Sequence, residues 1–320
     1  MCPCGMTLAQ MRRCVQSALN PAGLEAGQTF VLLLTTSAVA FAIWLGVVGL
    51  AIYAPRARPS PGSRSSTALI VGGGIVFPLV VLTGYLTYGL SRMPAMLARA
   101  PQGQIAIDVV ATQWWWRTRY LVPGREPIEL ANEIWLPVNE RLDVRLTSRD
   151  VVHSFWIAPL AGKRDAIPGR LTVLPLQPTR TGTFRGACAE FCGASHARMN
   201  LIAVVVDRAA FDRWIEAQAR PAMPAADAAE QRGQQTFLER GCATCHTVRG
   251  TPAQGRFGPD LTHVASRRTI AAGTLPADAE QFRRWITSTE HVKPEALMPA
   301  FTTLPPDDLA ALTAYLMGLR

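Results

Sequence analysis

Between Ala26 and Ile107 this 320-residue chain contains no aspartate and no glutamate. So long a stretch without a carboxylate is foreign to the surface of an ordinary globular domain, where roughly a quarter of residues are charged and both signs are mixed. Charge is sparse in the chain as a whole, at 17% of residues, and there are only five histidines. The formal net charge is +9, but seven arginines and one glutamate in residues 1–100 supply +6 of it, leaving +3 for the other 220 residues. A basic excess gathered around apolar segments reports membrane orientation and argues against a nucleic-acid partner. The seven cysteines do not make a disulfide framework. Cys2, Cys4 and Cys14 crowd the first fourteen residues, and the other four form two tight pairs of the kind used to hold metals or prosthetic groups.

What fills the carboxylate-free region is apolar. Thr29–Tyr53 and Thr67–Leu90 are uncharged, and each reaches the ~20 residues needed to cross a bilayer as a helix. Neither has a polar face, which favours membrane helices over the alternative of two buried core helices. Arg56, Arg58 and Arg64 occupy the short turn between them and place it in the cytoplasm, with both ends of the hairpin outside. Residues 1–26 form a leader or extension. Met1–Arg13 lacks the apolar run of a signal peptide, and Cys14 lacks the small, apolar context expected for lipidation, so the three early cysteines carry no assigned role.

Two motifs carry the chemistry. The first is Cys188-Ala-Glu190-Phe-Cys192-Gly-Ala-Ser-His196-Ala-Arg-Met199. Two thiols, an imidazole and a thioether in one loop are soft donors that suit copper or zinc. A single-copper carrier needs one cysteine, and a second allows both sulfurs to bridge two copper ions. A further histidine must then come from upstream, and only His153 precedes His196. A disulfide or half of a zinc site are the alternatives, but zinc would want a second Cys or His pair and would leave Met199 idle. The second motif, Cys242-Ala-Thr-Cys245-His246, is the Cys-x-x-Cys-His signature of covalent haem attachment, with the histidine as axial ligand. Ala228–Glu239 and Asp307–Leu319 read as its flanking helices. Met298, before Pro299 in a loop, is the leading sixth ligand. Met317 shares an apolar face with Leu309, Leu312 and Leu316, while His263 and His291 read as surface residues, His291 being an alternative ligand. Gln104–Asp207 alternates apolar and polar residues in short runs, as in a β sandwich. Phe211–Arg220 reads as a helix, followed by an Ala/Pro linker from Pro221.

The thiol loop together with His153 resembles the binuclear CuA site of cytochrome c oxidase subunit II. With the haem motif behind it, nearly the whole chain resembles a subunit II carrying a fused C-terminal c-type cytochrome domain, as in caa-type haem-copper oxidases. The resemblance implies a multidomain fold: leader 1–26, transmembrane helical hairpin 27–100, all-β cupredoxin barrel 101–208, helix and linker 209–226, and an all-α class I cytochrome c domain 227–320. It implies copper ligation by His153, Cys188, Cys192, His196, Met199 and the Glu190 carbonyl, haem c on Cys242, Cys245 and His246 with Met298, and a magnesium ion shared with subunit I through Glu190. In Gln113-Trp114-Trp115-Trp116 the first tryptophan matches the family's residue that accepts electrons above copper, although clustered tryptophans also serve as core or membrane-interface anchors. Lys163–Arg170 matches a run that packs on subunit I. The implied function is electron transfer from an external donor such as a cytochrome c, through haem and CuA, to subunit I, where oxygen becomes water, at a bacterial inner membrane with the soluble domains on the periplasmic side. A nitric oxide reductase subunit and a free-standing, membrane-tethered redox or copper carrier are the alternatives. One departure stands out: the family's glutamate near the cytoplasmic end of the second helix is missing from Thr67–Pro78.

Overall fold

The computed structural model describes residues 16–56 and 64–320. Cys2, Cys4, Cys14 and Arg58 therefore lie outside the described residues. The chain divides into two compact units, residues 27–98 and residues 1–26 with 99–320.

The first unit is a pair of helices. Helix α1 (Leu24–Tyr53) runs on into a 3-10 turn at Ala54–Arg56, and α2 spans Ser66–Leu97. Both are longer than the apolar runs that announced them, because the helical backbone continues into flanking polar residues. Their apolar windows are not buried by the protein, as expected of helices whose solvent is hydrocarbon. Hydroxyls there find partners internally, as hydrocarbon requires: Thr36 donates to the Leu32 carbonyl at 2.6 Å, and its oxygen also pairs with the Tyr85 hydroxyl. Within α2 the section Leu69–Val76 winds as a π-helix around Gly72, Gly73 and Gly74, where missing side chains remove the resistance to a wider turn.

The second unit begins with ten strands: β1 (Ala106–Thr112), β2 (Trp115–Leu121), β3 (Ile128–Ala131), β4 (Glu133–Pro137), β5 (Leu142–Ser148), β6 (His153–Trp156), β7 (Arg164–Ala166), β8 (Thr172–Leu176), β9 (Gly182–Cys188) and β10 (Asn200–Val206). They form two five-stranded sheets, β3-β2-β1-β5-β8 and β4-β10-β9-β6-β7, with parallel pairs at β1–β5 and β4–β10. The sandwich is cupredoxin-like. Period-two patterning sets which side faces in: β2 buries Trp116, Thr118 and Tyr120 and turns Trp115, Arg117 and Arg119 outward. Trp116, Tyr120, Phe155 and Leu146 are wholly enclosed.

Four longer helices follow, α3 (Arg208–Ala219), α4 (Ala228–Glu239), α5 (Ala279–Thr287) and α6 (Pro306–Gly318). Asp207, Asp227 and Asp278 cap the first three by accepting from the backbone N–H three residues on, which satisfies donors the helix cannot. Helix α3 lies on the β domain, its Trp214 ring stacked 5.0 Å from that of Trp135. The α4–α6 crossing depends on Gly233, where an added Cβ would stand 2.0 Å from the Ala311 carbonyl oxygen. The segment after α3 is tied down: Arg249 donates to the Gln218 carbonyl at 2.7 Å, and the Ala222 N–H donates back to Arg249 at 2.9 Å. The stiffness expected of an Ala/Pro linker is thus reinforced by hydrogen bonds to the helical domain.

Candidate metal and haem centres

The thiol loop is the connection between two antiparallel strands. β9 ends on Cys188 and β10 starts at Asn200, with Asn200 opposite Ala187, so residues 189–199 must turn back within a short span. β6 lies beside β9, placing Phe155 opposite Cys188 and bringing His153, 35 positions earlier, to the mouth of the loop. The distances are those of donors around a common centre. Cys188 Sγ is 3.8 Å from Cys192 Sγ, 3.8 Å from His153 Nδ1 and 3.2 Å from the Glu190 carbonyl oxygen. Cys192 Sγ is 3.5 Å from His196 Nδ1. Met199 is fully buried beneath the loop, and both thiols are free and buried. Metal–sulfur and metal–nitrogen bonds of ~2.0–2.3 Å put two donors on one ion about this far apart, so the residues fit a soft metal centre.

Protonation supports the fit. The two thiols share a proton: the hydrogen bond from Cys192 holds the Cys188 thiol well below its ordinary range, and the same contact pushes Cys192 up. His153 Nε2 lies 2.8 Å from Asp150 Oδ1. A carboxylate accepts, so Nε2 carries the hydrogen and Nδ1 keeps its lone pair toward Cys188, the arrangement that orients a metal-binding imidazole. Burial opposes a proton on His153, but Cys188 and Asp150 outweigh it and raise the pKa.

The three tryptophans part company. Trp116 lies in the core, edge-on to Phe155 with ring centroids 5.4 Å apart. Trp115 sits under the Arg117 guanidinium at 4.9 Å. Trp114 donates its indole N–H to the Cys192 carbonyl at 2.9 Å, and the Gln113 side chain donates to the same oxygen at 2.7 Å. Trp114 is only 5% exposed. Gly193 fits beneath it with φ +113°, and a Cβ there would stand 3.0 Å from Trp114 Cζ2. Glu190 points elsewhere: its side chain is 45% exposed and accepts from Lys163 Nζ at 3.3 Å. Asp165 of the Lys163–Arg170 run accepts from Ser154 Oγ at 2.7 Å, one residue from His153.

The haem motif occupies a one-turn helix, Cys242–Cys245, entered through Gly241 at φ +80°. His246 Nδ1 donates to the Pro259 carbonyl at 2.8 Å, which leaves Nε2 as the free lone pair. Burial disfavours the protonated imidazole, and burial pushes the Cys242 thiol up to about 11. Gly258 lies against the ring: a Cβ there would fall 2.6 Å from His246 Cε1. Two free thiols, an oriented neutral imidazole and a side-chain-free wall fit covalent haem. Met298 and Met317 both pack on the helical core. His291 is exposed. His263 corrects the expectation of a surface residue: it is 5% exposed, and its two ring nitrogens are taken by the Arg320 and Arg220 carbonyls. Asp150 and Gly193 escaped the sequence reading because each acts through a contact that motif spacing does not encode, whereas Gly258-Pro-Asp-Leu261 was legible as a stretch that fits a small helical cytochrome, without the contacts it makes to His246.

Residues 119–206 match the family described as cytochrome c oxidase subunit II, periplasmic domain, and residues 230–320 match the cytochrome c family. The chain is 30% identical over 253 residues to cytochrome c oxidase subunit 2 of Bacillus sp. (strain PS3), an alignment covering 76% of this chain and 70% of the relative. The chain belongs to the cytochrome c oxidase subunit II family. Cytochrome c oxidase subunit 2 of Alkalihalophilus pseudofirmus is 28% identical over 323 residues, covering 95% of this chain and 91% of that one. The crystal structure of the periplasmic domain of cytochrome oxidase subunit II from Bradyrhizobium japonicum is similar at 32% identity and TM-score 0.35, over 38% of this chain and 96% of that one. As a family member with a cytochrome c domain, the chain is a subunit of an oxidoreductase complex, and its two apolar helices with a periplasmic-type domain fit a membrane-anchored subunit.

Gly258→Ala should drive the His246 ring off the Pro259 carbonyl at a packing cost of ~1–3 kcal/mol. Haem staining of the denatured variant should persist, since Cys242 and Cys245 are untouched, while the absorption spectrum turns high-spin. An unchanged low-spin spectrum would show that the Gly258 wall does not position the ring.

Proposed function

We propose that the chain receives electrons from an external donor such as a cytochrome c and delivers them to subunit I of a haem-copper oxidase. His153, Cys188, Cys192, His196, Met199 and the Glu190 carbonyl would hold a binuclear CuA centre. Cys242, Cys245 and His246 would hold haem c, with Met298 as sixth ligand. The observation that carries the reading is the meeting of two thiols, two Nδ1 atoms and the Glu190 carbonyl in one loop mouth, with neighbouring donors 3.2–3.8 Å apart. When bound, the copper pair and the haem supply one-electron carriage with little change of geometry.

The chain's own residues do the holding. Asp150 fixes the His153 tautomer and Pro259 that of His246. Gln113 and Trp114 pin the thiol loop through the Cys192 carbonyl. Lys293 of the helical domain reaches Trp114, its Nζ donating to the Trp114 carbonyl at 2.5 Å. The proposed source of electrons at Trp114 is therefore the chain's own haem domain, with the external donor meeting that domain first. The half-exposed Glu190 carboxylate is a hard oxygen donor suited to magnesium at the contact with subunit I. The proposed setting is the bacterial inner membrane, with the Arg56 and Arg64 turn cytoplasmic and the rest of the soluble chain periplasmic.

Cys192→Ser should abolish the mixed-valence two-copper EPR signal, because one thiolate cannot supply both bridges. Retention of that signal would refute the binuclear assignment. Met298→Ala should leave the haem covalently attached yet high-spin and of lower potential, since a thioether favours reduced iron. If the low-spin spectrum survives and His291→Ala abolishes it, the ligand is His291. Glu190→Gln should spare the copper spectrum and alter the EPR signal of manganese substituted for magnesium in the assembled oxidase. An identical manganese signal would remove magnesium from the account.

A further inference from the structure

The chain has only two lysines, Lys163 and Lys293. Lys163 is a half-exposed member of an ion-pair cluster. Lys293 is 4% exposed, and among the described residues no carboxylate lies within ion-pair distance of it. Its ammonium donates instead to two carbonyls from different domains: Trp114 of the β domain at 2.5 Å, and Ala271 of the helical domain at 3.4 Å. A long cationic side chain is expensive to bury, and burial works against the proton on this one while the nearby Cys192 sulfur favours it. The next residue also bridges the two domains, since the Pro294 carbonyl accepts from buried Ser195 Oγ at 2.6 Å. Ser195 lies in the thiol loop next to His196, and Lys293 lies five positions before Met298 in the haem-side loop.

We propose that Lys293 is a positioning residue that latches the helical domain onto the thiol loop, holding Trp114 against the Cys192 carbonyl so that the haem and copper sites keep one fixed separation. The ammonium suits the task because its three N–H groups can serve acceptors on both sides of the seam, whereas a carboxylate or an amide oxygen would face carbonyls it cannot bond. Around it the seam is otherwise made of polar contacts: the Asn200 N–H donates to Ala272 at 3.0 Å, the Arg268 N–H to Glu133 Oε2 at 2.9 Å, and Thr274 Oγ1 to Arg198 at 3.2 Å. Lys293 is the buried cationic side chain among these contacts. The electron-transfer consequence rests on the function proposed above, but the latch itself does not.

The test uses the full chain in the assembled oxidase and separates the two. Hydrogen exchange is followed at Asn200 and Arg268, whose amides cross the seam, and at Ile202 and Arg240, whose acceptors lie within one domain. Loss of a charge-assisted hydrogen bond corresponds to about 10–100-fold in the docking equilibrium. Lys293→Met should therefore speed exchange at Asn200 and Arg268 by about that factor and leave Ile202 and Arg240 unchanged, while Lys293→Arg restores much of the protection. The second readout is the one-electron step in which haem iron goes from ferrous to ferric and the copper pair gains that electron, with no bond made or broken. Its rate should fall in Lys293→Met while the haem and copper spectra stay as in the wild type. Wild-type exchange at the seam in Lys293→Met would overturn the latch, as would equal acceleration at Arg240, which would make Lys293 a stabiliser of the helical domain alone. Accelerated seam exchange with an unchanged electron-transfer rate would keep the latch and overturn its role in holding the separation.

Discussion

The carbonyl oxygen of Cys192 accepts two hydrogen bonds at once, from the Gln113 side chain at 2.7 Å and the Trp114 indole at 2.9 Å. A loop of eleven residues carrying three soft side chains has no reason of its own to hold them inward. Anchoring the backbone between Cys192 and Gly193 to a rigid strand end removes that freedom, and it demands a residue without Cβ at 193 because the ring lies 3.0 Å away. Entropy lost in ordering the loop is thereby met by the fold and need not be met by metal binding. The same two donors belong to the β1–β2 connection, so copper-loop geometry and sheet register are set together.

Both histidine positions use one device with different strengths. His153 gives its outer N–H to a carboxylate, and His246 gives its own to a peptide carbonyl. A full negative charge raises the basicity of the nitrogen on the far side more than a carbonyl does. Burial works against a proton at both rings: at His153 the Cys188 and Asp150 contacts outweigh it and the pKa goes up, whereas at His246 burial prevails over the Pro259 hydrogen bond and the pKa goes down.

The sequence disclosed those parts of the site that are dense and local. Cys188, Cys192, His196 and Met199 lie within twelve residues, and Cys242, Cys245 and His246 within five, so chemistry and spacing sufficed. His153 was legible by elimination, because histidines are so few. The sandwich was legible because runs such as Ile105–Val110 alternate, burying Ile105, Ile107 and Val109 between outward residues, and the two apolar helices because their composition leaves one solvent. Lys293 could not be read that way: its partner Trp114 is 179 positions away, and an isolated lysine in a sequence is by default a solvated one. His263 misled for the same reason, since both its partners are main-chain oxygens that every sequence offers everywhere.

Trp114 is only 5% exposed and its carbonyl is bonded to Lys293 of the helical domain, so a soluble redox protein cannot lay its own cofactor edge flat against that ring. On the proposed electron path the outer face of the β domain would be relieved of any duty to attract and release passing proteins, and the balance of fast capture against fast departure would fall on the helical domain. Salt, which governs such encounters through long-range charge, would then bear on the first hand-over and leave the internal one untouched.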